Sequence, residues 1–424
     1  MKIISPADLL IPKPSYRERF SVVACDQFTS QPDYWQKVAG IVQDAPSALH
    51  LIVPESALNA GDLEGRIQKV HQTMARYLED GVFGCIPNSY LYIERTLRDG
   101  RVRRGIIGKL DLKAYDYAKR SASPVRATEA TVLERIPPRV AIRKGGVLES
   151  PHVMVLFDDP AHSVLSPLTE NRERMDKLYD FPLMMDSGSI AGWRLDPQAA
   201  GQLEAALEAL ADPSRFHDRY GIEAPPLLFA VGDGNHSLAS AKECYNRLCA
   251  QYGEQAMENH PARYALVELV NLHEPSLDFE PIHRIVFGID RVHFLGKMRD
   301  YLQTEGEKAA AENAQAFTLV RDGSRETIRI GAPSSSMAVG SLQNFLDDYA
   351  REFGGHCDYI HGDEVVEQLS REQGHLGFLL PPIDKNEFFK TVLIDGALTR
   401  KTFSMGHAWD KRFYLECRKI EEDV

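Results

Sequence analysis

The chain of 424 residues lacks most of the short signatures that identify common protein classes. It contains no apolar run of about 18 residues, so we expect no membrane span. Its first residues lack the apolar segment of a secretory signal peptide. The six cysteines include no CxxC pair, and scattered cysteines of this kind are typical of reduced, intracellular proteins. We therefore predict a cytoplasmic protein.

Basic residues are fewer than acidic residues. The chain has 49 Lys and Arg residues and 61 Asp and Glu residues, which gives a formal net charge of −12. This charge argues against a large nucleic-acid-binding surface. The sequence also has no P-loop, no protein-kinase glycine loop, no GxSxG elbow, no HExxH helix and no EF-hand. What remains is an ordinary globular composition, 43% hydrophobic and 26% charged.

Short strands alternate with helices along the chain, and some strands form hairpins around Asp-Gly turns at 99–100 and 322–323. This pattern predicts an α+β (mixed α/β) fold rather than a uniform doubly wound sheet. The predicted helices cover 62–80, 202–211, 291–305, 341–352 and 362–373. The predicted strands include 89–97, 101–112, 153–157, 188–195, 264–271 and 377–380. We divide the chain into an N-terminal α/β module (1–120), a central module (121–290) and a C-terminal α/β module (291–424) that packs on the site.

The most informative segment is 227–237, with the sequence LLFAVGDGNHS. An apolar run ends in Gly232-Asp233-Gly234, and apolar residues at helical spacing follow, which predicts a buried strand, a tight turn and a helix. The start of a helix presents free backbone N–H groups and the positive end of the helix dipole, an arrangement that suits a phosphate. Asp233 and His236 add a carboxylate and an imidazole at the same place.

The residues of this segment also have ordinary structural interpretations. Aspartate is a common turn residue, so Asp233 alone is consistent with a simple turn. Asn235 is predicted to be the helix N-cap, and His236 or Ser237 could equally cap the helix. The flanking glycines favour a binding site, since they let backbone approach a ligand closely. The segment 356–361, with two histidines and a cysteine, is spaced too loosely to predict a zinc site.

At these residues the chain resembles the DUF1015 family. The segments that carry the resemblance are 126–131 (RATEAT, followed by Arg135 and Arg139), 229–237, 281–284 (PIHR), 377–382 (GFLLPP) and 401–414. The chain departs from the family pattern at three positions. Thr128 and Asn235 stand where the family has histidine, and Ser237 stands where it has arginine.

The DUF1015 family is more distantly similar to the ParB-like/sulfiredoxin-like superfamily, whose members bind nucleotide phosphates at a strand–turn–helix junction. The resemblance implies a ParB/sulfiredoxin-like fold for the central module. One branch of that superfamily phosphorylates free serine, and its important carboxylates match Glu129 and Asp233. The resemblance therefore implies a kinase that uses Mg²⁺ with ATP or ADP and acts on free serine or a similar hydroxyl compound.

In this hypothesis Glu129 or Asp233 accepts the proton of the substrate hydroxyl, and His236 offsets charge on the transferring group. Mg²⁺ is carried mainly by the nucleotide, with no dedicated metal site in the protein. Asp26 is a secondary candidate, with a turn at a strand end as its alternative. The candidates for binding phosphate or nucleotide are Gly232, Gly234, Asn235, Ser237, Arg284, Lys401 and Arg412, with Arg139 as a further one. Arg284 could instead form a buried salt bridge, and Lys401 and Arg412 could be surface charges.

Two other functions stay open. The chain could be a nucleotide-sensing or DNA-associated protein of the ParB-like type, although its acidic balance disfavours DNA. It could also bind a phosphate ligand without catalysis, since the departures at Asn235 and Ser237 remove two groups of the family pattern. The expected partners are a nucleotide and a small-molecule substrate, without membrane or nucleic acid, and a homodimer remains an open option.

Overall fold

The computed structural model describes residues 2–29, 31–58, 61–129, 136–312 and 314–420. The chain forms two compact units. Unit 1 consists of Met1–Leu277 and His407–Val424, and unit 2 consists of Asp278–Gly406. The predicted boundary near residue 120 falls inside unit 1, because strands from both sides of it pair in one sheet. The last residues of the chain belong to unit 1 and not to the predicted C-terminal module.

The elements follow the alternation seen in the sequence. The helices are α1 (Arg17–Phe20), α2 (Pro32–Val42), α3 (Leu63–Glu79), α4 (Ile136–Arg143), α5 (Ser166–Asn171), α6 (Pro197–Ala209), α7 (Pro213–Tyr220), α8 (Asn235–Tyr252), α9 (Arg291–Leu302), α10 (Glu307–Ala310), α11 (Ala338–Phe353), α12 (Asp363–Leu369) and α13 (Lys385–Asp395). The strands are β1 (Ile4–Ser5), β2 (Ala7–Pro12), β3 (Phe83–Ser89), β4 (Leu91–Thr96), β5 (Val102–Asp111), β6 (Tyr115–Asp116), β7 (Val125–Ala127), β8 (Leu148–Glu149), β9 (Met154–Phe157), β10 (Asp176–Pro182), β11 (Ser189–Arg194), β12 (Phe229–Asp233), β13 (Tyr264–Asn271), β14 (Phe279–Pro281), β15 (His283–Phe287), β16 (Ala316–Arg321), β17 (Ser324–Arg329), β18 (His356–Ile360), β19 (Leu376–Leu379), β20 (Phe403–Met405) and β21 (Arg418–Lys419).

Unit 1 is built on a mixed sheet with the strand order β10-β11-β4-β5-β13-β9-β12-β7-β6, and β1 adds to β5. The first five strands of this order, β10-β11-β4-β5-β13, are antiparallel to one another. Strand β9 runs parallel to β13, and β7 runs parallel to both β12 and β6. The predicted mixed α/β class is confirmed.

Both faces of this sheet are buried. In β4, Tyr92 belongs to the apolar core on one face and Ile93 to the core on the other, as alternation along a strand requires. Helix α8 covers the first face with Leu238 and Tyr245. The C-terminal segment contributes Phe413 to the second core. The site described below therefore lies on a strand and a helix that the core holds in place.

Unit 2 has its own antiparallel sheet, in the order β17-β16-β19-β15-β18, and a two-stranded ribbon of β14 and β20. Its core is aromatic, with Phe294, Phe345 and Phe378 in one cluster. The hairpin predicted around 322–323 is the pair β16–β17. In the described ranges, no helix has both the length and the apolar character needed to cross a membrane.

Candidate functional site

The strand–turn–helix predicted at 227–237 is confirmed. Strand β12 ends at Asp233, and α8 begins at Asn235. Between them Gly234 has a φ of +79°, and a Cβ atom placed there would lie 3.0 Å from the Cα of Val153. Glycine is therefore needed at this position both for its backbone angle and for space.

The predicted N-cap is one residue too late. Gly234, and not Asn235, holds the N-cap position, and it provides no side-chain hydrogen bond to the helix. The first N–H groups of an α-helix have no partner within the helix, and a side-chain cap usually accepts from one of them. At α8 the N-cap residue cannot do so, which favours binding of an acceptor from outside.

Glu129 lies 104 positions before Asp233 in the sequence, and the fold places the two at neighbouring strand ends. Strand β7 runs parallel to β12, with Ala127 opposite Val231. Because the two strands run in the same direction, Glu129 follows β7 at the edge of the sheet where β12 ends with Asp233. Parallel neighbours present the groups after their carboxyl ends at a common edge.

Thr128 and Asn235 connect this edge to the start of α8. The hydroxyl of Thr128 donates to the carbonyl of Val231 at 2.6 Å, and its backbone N–H donates to Oδ1 of Asn235 at 3.3 Å. The amide of Asn235 also donates to the carbonyl of Val231 at 3.3 Å. Two of the three positions that depart from the family pattern are thus in direct contact.

Asp233 has one satisfied and one unsatisfied carboxylate oxygen. Its Oδ1 accepts a hydrogen bond from the backbone N–H of Gly234 at 3.0 Å. Its Oδ2 is buried and has no hydrogen-bond partner within the described part of the chain. The ammonium of Lys411 lies 3.4 Å from this oxygen, and the two side chains are only 16% (Asp233) and 9% (Lys411) exposed. A buried carboxylate oxygen held near a cation is suited to bind a further donor or a metal ion.

Lys411 is not among the site residues predicted from the sequence, although its neighbour Arg412 is. Adjacent residues of an extended segment point in opposite directions, so only one of the two can face the site. The basic pair at 411–412 is the available sequence signal, and only the structure decides which member faces Asp233.

Arg412 is fixed in the interior of unit 1. Its Nη1 donates to Glu268 and its Nη2 to Glu416, both at 2.6 Å, and the side chain is 2% exposed. Burial acts to lower the pKa of this guanidinium, but the two carboxylates outweigh it and raise the pKa. The surface-charge alternative for Arg412 is therefore wrong.

Asp26 lies close to the same lysine. Burial acts to raise the pKa of its carboxyl, but His152, a hydrogen bond from Gln27 and the charge of Lys411 outweigh it and lower the pKa. Oδ2 of Asp26 lies 3.9 Å from Nε2 of His152. The carboxylate form of Asp26 is thus favoured beside Lys411.

His152 is buried and extends this set of contacts. Its Nδ1 is hydrogen-bonded to the hydroxyl of Tyr414 at 2.7 Å. Asp233, Lys411, Asp26, His152 and Tyr414 are thus linked by two ion pairs, one hydrogen bond and the charge of Lys411 acting on Asp26, and we call this set the polar chain. Of its members, only Asp233 and Asp26 are predicted as site residues from the sequence.

A cavity of about 150 Å³ lies beside the first turns of α8. Ser237, His152 and Arg139 are among the residues that line it. Arg139 is paired with Glu55 at 3.1 Å. His236 is half-buried in the same first turn, and its carbonyl accepts a hydrogen bond from Ser240 at 2.7 Å. Arg135, which follows Glu129 in the segment that resembles the DUF1015 pattern, is outside the described residues.

Arg284 and Lys401 belong to unit 2. Arg284 is fully buried, donates from Nε to Gln343 at 2.8 Å and lies 4.6 Å from the ring centroid of Tyr359. Burial lowers its pKa to about 10. Arg284 is thus buried, as that alternative predicts, but hydrogen bonds and a ring contact with neutral groups hold it instead of a salt bridge. Lys401 is exposed.

The described residues contain no group of three His, Cys, Asp or Glu side chains that could hold a metal ion. The segment with His356 and His361 is among these described residues, and its first histidine lies in strand β18.

Comparison with known proteins gives one family and several remote structural likenesses. The family described as "Protein of unknown function (DUF1015)" matches residues 5–349. No curated protein matches the chain.

Three solved structures illustrate the remote likeness. A conserved hypothetical protein from Pyrococcus furiosus is 11% identical, with a TM-score of 0.35, over 72% of this chain and 93% of that chain. A free serine kinase in complex with AMP is 12% identical, with a TM-score of 0.38, over 74% and 91%. C-terminally truncated SbnI from Staphylococcus aureus is 9% identical, with a TM-score of 0.35, over 73% and 82%. Since the family match spans most of the sequence, the chain belongs to the DUF1015 family.

Proposed function

We propose that the chain is a nucleotide-dependent phosphotransferase that acts on the hydroxyl group of a small free compound, such as free serine. The observation that carries the proposal is the buried Oδ2 of Asp233, which has no hydrogen-bond partner in the described ranges. The ammonium of Lys411 lies 3.4 Å from this oxygen, so the oxygen keeps the capacity to accept a further donor or a metal ion, which supports a ligand at this place. It lies at the glycine-capped start of α8, where a phosphate is also favoured.

The residues present fit Mg²⁺ bound to a nucleotide. This ion keeps several waters and needs only one or two protein carboxylates in addition to phosphate oxygens. The buried Oδ2 of Asp233 can supply one such ligand. When bound, the Mg-nucleotide supplies the phosphoryl group for transfer.

The protein's own contribution is positioning and charge compensation, which phosphoryl transfer requires most. Backbone N–H groups of 232–237 bind phosphate oxygens, and Lys411 and His236 offset negative charge. Glu129 or Asp233 accepts the proton of the attacking hydroxyl. The buried contacts of Arg284 and Arg412 favour structural roles for these two residues.

One observation favours a second function, nucleotide sensing or phosphate-ligand binding without catalysis. Thr128 and Asn235 satisfy each other's polar groups at positions where the family pattern has two histidines. Without these imidazoles, fewer groups remain to donate or accept protons at the turn. Binding without transfer is the outcome that would support this alternative.

The test combines calorimetric titration of Mg-ATP and Mg-ADP with turnover of a panel of free hydroxyl compounds, serine first, followed by phosphorus NMR. We expect nucleotide binding and one phosphorylated product. The variant Asp233→Asn should lower turnover about a hundredfold or more, the scale found for removal of one group that stabilises a transition state. Asp300→Asn is the matched control, because the Asp300 side chain is 76% exposed.

Nucleotide binding that persists without any product would overturn the phosphotransferase and support the second function. Absence of nucleotide binding at millimolar concentrations would overturn both.

A further inference from the structure

The cavity of about 150 Å³ beside α8 has a mainly apolar wall. Its volume is close to that of a well-studied engineered cavity in another protein that binds benzene. The apolar lining includes Leu51, Val53, Met74, Ile142, Val153 and Leu238. Pockets that bind small molecules combine such walls with a few placed polar groups.

The polar groups of the wall lie next to the turn. Ser237 is in the first turn of α8, four positions after Asp233. His152 immediately precedes Val153, whose Cα lies 3.0 Å from a Cβ placed on Gly234. His152 is 5% exposed and belongs to the polar chain. The cavity therefore borders the proposed phosphate site through Ser237 and His152.

The charged groups of the wall neutralise one another. Arg139 is paired with Glu55 at 3.1 Å, and Arg143 is paired with Glu149 at 2.7 Å. A charged ligand bound in the cavity would have to take one of these side chains from its present ion-pair partner, since an unpaired charge is costly to bury. A neutral ligand has no such requirement.

We propose that this cavity binds the acceptor substrate, and that the acceptor is a neutral alcohol with a compact apolar body about the size of a benzene ring. The inference rests on the proposed function and narrows its substrate class away from free serine. The acceptor's hydroxyl oxygen bonds to the terminal phosphorus of a nucleoside di- or triphosphate, and the bond from that phosphorus to the bridging oxygen breaks. The hydroxyl proton passes to Glu129 or Asp233, and the shortened nucleotide leaves with the electron pair.

The test titrates the full chain, without nucleotide, with benzyl alcohol, toluene and L-serine, and follows binding by protein NMR. We expect saturable binding of benzyl alcohol, weaker binding of toluene because it lacks the hydroxyl, and no binding of serine at the same concentrations. Ala241→Leu, which places a larger side chain on the cavity wall, should weaken benzyl alcohol binding at least tenfold. Ala250→Leu is the matched control, because Ala250 is exposed on the same helix.

Circular dichroism checks that each variant folds. Should Ala241→Leu unfold, Met74→Ala enlarges the same cavity, and we expect it to gain binding of 2-naphthylmethanol. Serine binding in preference to benzyl alcohol would overturn the inference, as would unchanged benzyl alcohol binding in Ala241→Leu or an unchanged preference in Met74→Ala.

A separate titration with Mg-ATP keeps the two proposals apart. Phosphorylation of serine and not of benzyl alcohol would overturn the acceptor assignment and leave the phosphotransferase intact. Benzyl alcohol binding without any nucleotide binding would overturn the phosphotransferase and support the neutral-alcohol cavity alone.

Discussion

The backbone N–H of Thr128 donates to Oδ1 of Asn235 at 3.3 Å, although 107 positions separate the two residues. Both replace a histidine of the family pattern, and both also bond to the carbonyl of Val231. The pair therefore joins the end of β7, the end of β12 and the start of α8. A replacement at one position therefore changes a hydrogen-bond partner of the other.

We expect Thr128→Val and Asn235→Ala to be coupled. Thr128→Val removes the hydroxyl that accepts from the Asn235 amide and donates to the Val231 carbonyl, and Asn235→Ala removes that amide. The effects of the two substitutions on the free energy of unfolding should therefore depart from additivity by about 0.5 kcal/mol or more in the double variant. Urea unfolding of the wild type, the two single variants and the double variant measures this coupling. A second cycle of Thr128→Val with Lys419→Met, at an exposed strand residue, should be additive. Additive behaviour in both cycles would contradict the contact.

Lys411→Met should weaken nucleotide binding. It removes the cation 3.4 Å from Asp233, and interactions of charged groups of this kind contribute about 1.5–3 kcal/mol, which is roughly tenfold or more in the dissociation constant. Calorimetric titration with Mg-ATP is the measurement, and Lys419→Met is the charge-matched control. An unchanged dissociation constant in folded Lys411→Met would remove Lys411 from the site.

Arg412→Met should act on stability. It leaves Glu268 and Glu416 buried without this common partner, and removal of one member of a buried ion pair costs about 3–5 kcal/mol. Urea unfolding measures the loss. Native stability combined with lost nucleotide binding would instead assign Arg412 to the site.

Gly234→Ala should destabilise the turn. An alanine at a φ of +79° costs about 1–2 kcal/mol, and its Cβ would also press on Val153. Gly201→Ala is the matched control within α6, because a Cβ there meets no atom within 4 Å. Removing a mid-helix glycine should raise the free energy of unfolding by roughly 0.5–1 kcal/mol. Equal effects of the two substitutions would contradict the turn geometry.

Stability should fall in acid. Burial acts to raise the pKa values of Glu149 and Glu268, but their arginine partners outweigh it and lower both pKa values. A carboxyl whose pKa is lowered by folding stabilises the protein above its unfolded pKa of about 4.3, and this contribution is lost as the pH falls through the folded value. Urea unfolding between pH 3 and 7 should show the free energy of unfolding decreasing below about pH 4. Glu268→Gln should flatten that decrease, and an unchanged slope would contradict the ion pairs.

The elements with strong local patterns could be predicted from sequence. Helix α3 matches the predicted 62–80, and strand β13 matches 264–271, because periodic apolar residues report the buried face directly. The pair β2–β3 escaped prediction, since its strands lie far apart in the chain and β3 has little alternation of burial. The N-cap was misplaced by one residue because glycine, with no side chain, gives no capping signal.

The order of strand, glycine-flanked aspartate and helix at 229–252 follows from the amino-acid sequence alone, because local periodicity and the backbone freedom of glycine are properties of neighbouring residues. The position of Lys411 rather than Arg412 beside Asp233 depends on the folded chain. The fold also brings Glu129 to the same edge and joins Asp26 to His152. These contacts depend on strand pairing and on the C-terminal segment, which belongs to unit 1. They could not be predicted, because the pairing of two distant segments produces no periodic pattern in the sequence of either segment.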